Sequence, residues 1–472
     1  MPSIASFRAL STAVVLLSTV ASVSACGSRN SEKADGSSAG SGAQAGTGGA
    51  TSASGGSTSQ AGNASSGGHE ALGGDSGAAG SAGPGAAGSE SQAGSNGASG
   101  GTAAGSGGGG SGAGGGTASG GSGSGGGITA GNPDGACSSS LPARAKLVDT
   151  TTPTTVVGTG TAGSCSFSAL NAAVTKGGII TFDCGPSPVT VAVTATLKLP
   201  TNKDTVLDGG NKVILDGGGA VQILSFNSAN FQATESSVTL QRLTLQNAKA
   251  TPTEVIPDAP APCSQGYNDG EGGALYMRDG NLNVIDCVFR NNQAAPLGPD
   301  TGGGAIYIVG SKHGATIANS TFIGNSASNA GAVGGLFSEL DVYNSLFKDN
   351  KALGHDANNN EPNKCSAMNN GQNETGSGGN GGAIYSDGNS VNVLLCGNAI
   401  LNNAAAVNAF GGGLFFTSNN MAGTLTIQDT TISGNTGGHW TNVSSGSVTN
   451  AGSAVGTNCK SITITSSAIQ GL

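Results

Sequence analysis

The sequence predicts an all-β chain whose C-terminal part, residues 137–472, winds as a parallel β-helix behind a long Gly/Ser/Ala leader. Two short motifs alternate along that part, strand-like runs lie between them, and the repeating unit contains no helical stretch. The first motif, Gly-Gly-Ala-aliphatic, recurs as Gly272-Gly273-Ala274-Leu275, Gly303-Gly304-Ala305-Ile306, Gly334-Gly335-Leu336-Phe337, Gly381-Gly382-Ala383-Ile384, Gly412-Gly413-Leu414-Phe415 and, more weakly, Gly452-Ser453-Ala454-Val455. The first five copies start 31, 31, 47 and 31 residues apart. The second motif is Phe-x-x-Asn at Phe289 to Asn292, Phe322 to Asn325 and Phe347 to Asn350, with Ile replacing Phe at Ile400 to Asn403 and Ile432 to Asn435.

Each Phe-x-x-Asn is preceded by a short alternating run such as Leu282-Asn283-Val284-Ile285, which is a strand signal. A unit of a few short strands cannot bury its own apolar face, whereas stacked copies can. Hydrogen bonding each strand to its copy one coil away gives parallel ladders about 4.8 Å apart. Phe289, Phe322, Phe347, Ile400 and Ile432 are then expected to form one internal column. The five asparagines should form another, at a turn where Asn tolerates left-handed φ and its amide bonds the copies above and below.

The rest of the chain follows in order. Residues 1–26 carry one positive residue, Arg8, an apolar run from Ala9 through Val23 and small residues before Cys26, which reads as a secretory signal. From Gly27 to about Gly135 there is no hydrophobic periodicity, so a flexible, disordered linker is expected over 27–136, with a reach on the order of 50–60 Å. Ser166 to Val174 places Phe167, Leu170 and Val174 three and four apart, the pattern of a short helix covering the open end of the solenoid.

Composition narrows the function classes. The 472 residues include 86 Gly, 10% are charged and the net charge is −9, with no Lys/Arg cluster to hold nucleic acid or an anionic membrane. Gly has no period of three, which excludes collagen. No nucleophile elbow, phosphate loop, HExxH or Cys/His zinc spacing occurs, so no cofactor is expected. Nine Cys lie at 26, 137, 165, 184, 263, 287, 365, 396 and 459. In an exported chain the eight beyond Cys26 are expected in disulfides. Stacking favours local pairs, Cys165 with Cys184, Cys263 with Cys287 and Cys365 with Cys396, while Cys137 and Cys459 have no assigned partner.

Two resemblances sharpen this reading. Val23-Ser24-Ala25-Cys26 resembles the lipobox of bacterial lipoproteins, which implies lipidation of Cys26 and an outer-membrane anchor. The alternating GGA[IL] and FxxN motifs resemble the repeats of polymorphic outer-membrane proteins, which implies a right-handed, pectate-lyase-like parallel β-helix displayed at a bacterial surface. Cys165 to Ala173 is similar to the capping segment of bacterial β-helix proteins, departing from it at Ser168-Ala169.

Large insertions fall between the Asn turn and the next Gly-Gly element, so all should emerge on one side. They are Thr251 to Glu271 with Tyr267, Asp269 and Glu271; Leu353 to Asn380 with His355 and Asp356; and Thr436 to Ala451 with His439 and the single Trp, Trp440. These residues are the binding candidates. Trp440 beside His439 suits stacking on a sugar, and the carboxylates make Ca²⁺ the one ion to test. No Asp-Asp pair supports hydrolysis, and Asp286 and Asp429 share the repeat position of Asn319 and Asn344, which makes them turn residues. The expected protein is a monomeric, non-catalytic surface lipoprotein binding an extracellular polysaccharide or matrix component. The alternatives are a polysaccharide lyase or hydrolase on the same scaffold, or a purely structural envelope component.

Overall fold

The computed structural model describes residues 129–256, 269–355, 357, 377–407, 409–438, 440–443 and 454–470. Cys26, the signal, nearly all of the linker, Cys263, Tyr267, Asp356, Cys365 and His439 lie outside them.

The described chain is a parallel β-helix in which every paired strand is parallel to its neighbours. Each coil contributes one strand to each of three ladders. In the coil that begins at Leu275, the strands are Leu275–Arg278, Asn281–Ile285 and Val288–Arg290. The first belongs to a nine-stranded sheet, and the other two to a 17-stranded sheet that bends at Asp286. Alternate residues of all three point inward: Leu275, Met277, Leu282, Val284 and Phe289 are fully buried. Phe289, Phe322 and Phe347 pair in register and stack with centroids 4.9 and 4.7 Å apart and rings within 5° of parallel. Ile400 and Ile432 continue the column.

Two corners turn on residues with left-handed φ. The first uses Asp286, Asn319, Asn344 and Asp429 with φ between 47° and 54°, and Gly397 in the same place. The second uses Asn291, Gly324, Asp349, Asn402 and Gly434. The laddered asparagines come one residue later, so the left-handed residue and the stacked amide are neighbours rather than the single position expected. The Asn350 amide is saturated. Asn350 accepts from the N–H and Nδ2 of Asn325 at 2.9 Å, and donates to the Phe322 carbonyl at 3.0 Å and to Asn403 Oδ1 at 2.9 Å.

Those ladder bonds also measure the coils. Successive rungs are 33, 25, 53 and 32 residues apart, so the 31-residue unit read from the Gly-Gly spacing is not the coil length. The register places Ala330-Gly331-Ala332-Val333 where the sequence suggests Gly334-Gly335-Leu336-Phe337, and Gly411-Gly412-Gly413-Leu414 one residue ahead of the copy assigned there. Backbone contact decides this. A Cβ on Gly273, Gly304, Gly331 or Gly382 would lie 2.1–2.2 Å from the carbonyl oxygen of the next glycine in the column, whereas one on Gly335 meets nothing closer than 3.6 Å. The first motif position takes left-handed φ, which Ala330 adopts at 51° in place of the glycine found in the other copies.

The N-terminal end is closed by helix α1, Phe167–Lys176, capped by Ser166, whose side chain accepts from the Ala169 N–H. Leu170, Ala173 and Val174 bury against the first coils, and Gly177 ends the helix at φ 68°. Cys165 beside it is bonded to Cys184.

Residues from Thr129 onward already touch the solenoid, and 132–150 lie across its coils as a strap. Asn132 N–H donates to the Asn344 carbonyl and Ser138 N–H to Asp429 Oδ2, both at 2.9 Å. Arg144 binds the carbonyls of His313 and Gly314 at 2.6 and 3.0 Å, and Thr150 donates to Asp208 at 2.6 Å. This path corrects two of the expected disulfides. Cys396 is bonded to Cys137, not to Cys365, because the strap brings Cys137 to a Cα–Cα distance of 5.1 Å across 259 residues of sequence. Cys287 is an inward rung with a buried free thiol, so it does not face an external loop and is not paired with Cys263. Cys459 is also free and buried. Cys137→Ser should lower stability by about 2–4 kcal/mol, since the bond closes a very long loop in the unfolded chain. Limited proteolysis checks this: the variant should be cut within 132–150 while its β-sheet circular dichroism is kept.

Candidate functional site

The loop roots stack at one corner of the solenoid. A line of parallel bridges runs through Lys249, Gln293, Ser326, Lys351, Ala404 and Thr436, and each coil leaves the ladders just after it. The chain returns at Gly272, Gly303, Ala330, Gly381 and Gly411. The segments 251–271, 353–380 and the one starting at Thr436 all leave there. Trp440 does not lie in a loop: Trp440–Val443 is a strand paired in parallel with Val455–Cys459 at the end of the nine-stranded sheet. His355 is half-buried at the root of the second insertion.

Next to these roots, the outer face of the nine-stranded sheet carries a column of aromatic residues. Tyr276, Tyr307, Tyr385 and Phe415 share one register position, with Gly334 between the second and third. Gly334 has no side chain because the Tyr307 ring lies over it: a Cβ there would be 2.7 Å from Tyr307 Cδ2. The loops cover most of the column. Tyr307 donates to the Asp300 carbonyl at 2.7 Å, and Tyr385 stacks on Phe415 at 5.2 Å. Tyr385 also donates to Asp387 Oδ2 at 2.9 Å, and burial pushes the Asp387 carboxyl up to about 6.

Only Tyr276 stays half-buried. Its register neighbour one coil toward α1 is Ser225, and beside Tyr276 lies a groove of about 480 Å³. Gln222, Lys249, Thr253, Asp269 and Glu271 line it with Tyr276. Gln222 Nε2 donates to the carbonyls of Glu271 and Gly272 at 2.9 Å, fixing the backbone on which Glu271 sits. Asp269 Oδ2 accepts from the Thr253 hydroxyl at 2.8 Å and the Glu254 N–H at 2.9 Å. Glu271 is 4% exposed, and its Oε1 has no hydrogen-bond partner among the described residues. Burial first, then the nearby Asp269 and Asp300, raises its pKa to about 8, so it is protonated at neutral pH. The structure therefore brings Asp269 and Glu271 together and adds Gln222, Lys249 and Tyr276, which the sequence reading missed. The signal for the tyrosines was present: an aromatic follows the aliphatic of the GGA[LI] copies at Leu275, Ile306 and Ile384.

The architecture and these motifs frame the comparisons with known proteins. The family model for the Chlamydia polymorphic membrane protein repeat matches residues 286–309 and 344–387. The repeats are of the polymorphic membrane protein type. Each matched segment spans an FxxN corner and a following strand of the nine-stranded sheet, so the match falls on the coil itself. Proteins of that family are associated with the outer membrane. No curated protein and no solved structure matches the chain significantly. Among the described residues, no helix is long and apolar enough to cross a membrane, and no group of three or more His, Cys, Asp or Glu gathers as a metal site.

Proposed function

We propose that the protein is a surface lipoprotein, anchored through Cys26, that acts as a monomer and holds its β-helix on the Gly/Ser/Ala tether to bind an extracellular polysaccharide or matrix component without altering it. The observation that carries this reading is the single corner at which the loop roots stack beside an outward aromatic column ending in a polar groove. Recognition sites are commonly built from loops on such a rigid scaffold. The outer-membrane association of the repeat family agrees with display at the cell surface.

A second reading, polysaccharide hydrolysis, draws on Glu271, since a carboxyl still protonated at neutral pH is what a general acid requires. Against it, Asp269, the other carboxylate in the groove, is held by Thr253 and Glu254. The anchoring half of the proposal is tested in cells. Cells carrying the full chain should be retained on polysaccharide-coated surfaces. Cys26→Ala should abolish that retention and move the protein to the soluble fraction, leaving its own binding unchanged. A Cys26→Ala protein that stays membrane-bound would refute lipid anchoring.

A further inference from the structure

We propose that the groove between Tyr276, Asp269 and Glu271 is a subsite for a short stretch of neutral polysaccharide, one of whose hydroxyls bonds to the Glu271 carboxyl. This deepens the recognition reading and rests on it. Three features of the groove select the ligand. Its volume of about 480 Å³ lies within the range of roughly 300–1,000 Å³ typical of small-ligand sites, enough for about two sugar rings. The half-buried Tyr276 ring gives an apolar face at one wall, as sugar rings need, while Gln222, Thr253 and Asp269 give polar edges.

The third feature is the unsatisfied atom. A buried side-chain oxygen without a partner is costly, and Glu271 Oε1 has none among the described residues; it is closed from solvent in the free protein, in a residue that is 4% exposed and lines the groove, so a rotation of the carboxyl would present it to a ligand. A sugar hydroxyl donates and accepts, so it satisfies that oxygen whichever oxygen of the carboxyl carries the proton. The charges exclude the other ligand classes. Asp269 in the groove and Asp300 nearby act on Glu271 as like charges, so an anionic uronate would enter against them, with Lys249 the one cation among the described residues of the wall. A divalent cation would find two carboxylates, of which Asp269 is already engaged by Thr253 and Glu254.

The test is titration of the full chain at pH 6.5 with three probes, cellohexaose, xylohexaose and hexagalacturonate, followed by saturation-transfer NMR and calorimetry, and a separate titration with Ca²⁺. At least one neutral hexasaccharide should bind, and hexagalacturonate should bind at least tenfold more weakly. Glu271→Gln, whose amide also donates and accepts, should stay within about threefold, whereas Glu271→Leu should lose about tenfold or more. Matching circular dichroism of the two variants shows that the loss is not unfolding, and Tyr276→Ser checks the ring contact independently. Neutral-glycan binding that Glu271→Leu leaves intact would overturn the subsite while the recognition reading stands. Preferential uronate binding, or Ca²⁺ binding removed by Glu271→Gln, would overturn the ligand class. Binding of no probe would overturn the subsite, and polymer arrays would then decide the recognition reading separately.

Discussion

Asn350→Ala should lower the stability of the solenoid by about 4 kcal/mol, as much as truncating a fully buried aromatic. Asn350 is completely buried, and its amide makes four bonds that nothing else replaces. Its removal leaves the Asn325 N–H and Nδ2 without this acceptor and takes a side-chain donor from the Phe322 carbonyl and from Asn403 Oδ1, the latter keeping the Asn350 backbone N–H. Each orphaned group costs roughly 1–3 kcal/mol, of which a water in the vacated space restores a part. Asn350→Asp should be no milder, because it keeps the acceptors but puts an unpaired charge in the core. Asn402→Gly makes the contrast. It lies at the same corner, exposed and with φ 57°, where glycine is comfortable, so the change should stay within about 1 kcal/mol. The shift of the guanidinium midpoint measures all three, and equal shifts for Asn350→Ala and Asn402→Gly would show that the ladder contributes nothing particular.

The second large effect is a loss of stability as the solution turns alkaline. Glu271 titrates near 4.5 in an unfolded chain and at about 8 when folded, because burial and the neighbouring Asp269 and Asp300 disfavour its charge. Between those two values the folded state binds the proton that the unfolded state has released. Stability therefore falls as pH rises through that window and levels off above about 8. One pKa unit corresponds to about 1.4 kcal/mol, so the full window amounts to on the order of 5 kcal/mol. Asp387, raised to about 6, adds a loss of the same sign between its ordinary value near 3.8 and 6. The lowered carboxyls Asp208 and Asp216 change stability only below their ordinary range, so they do not mask the effect. Guanidinium midpoints at pH 5 and pH 8.5 should differ clearly for the wild-type chain, and Glu271→Gln should remove more than half of that difference. An unchanged pH dependence in the variant would show that Glu271 is not the proton-binding group.

The coil was legible because its chemistry repeats at every rung. Phe-x-x-Asn names both an inward side chain and a stacked amide, and both columns exist. Register was less legible, since a glycine required by backbone contact and one tolerated within a strand look alike. Gly331 meets a carbonyl at 2.1 Å and Gly335 does not, yet only the pair Gly334-Gly335 has the appearance of the motif. The strap left no periodic trace at all. Cys137 reaches Cys396 through a non-repeating segment whose partners are scattered from Asp208 to Asp429, so sequence proximity pointed to the wrong cysteine. Of the groove, the acidic side was readable from the insertion that ends at Glu271. Gln222 and Lys249 were not, because they come from earlier coils whose Gly218-Gly219-Ala220-Val221 is out of register with the later copies: Leu224, not Val221, pairs with Leu275.

The most direct test of the central claim, recognition without chemistry, is a polysaccharide array probed with the full chain, with and without Ca²⁺, following both retention and the release of reducing or unsaturated ends. The account predicts retention on at least one neutral polymer, independent of Ca²⁺ and with no product. Release of reducing or unsaturated ends would contradict it, and reducing ends without unsaturation would point to hydrolysis with Glu271 as the candidate acid. Absence of both retention and product on every polymer would contradict the glycan ligand itself.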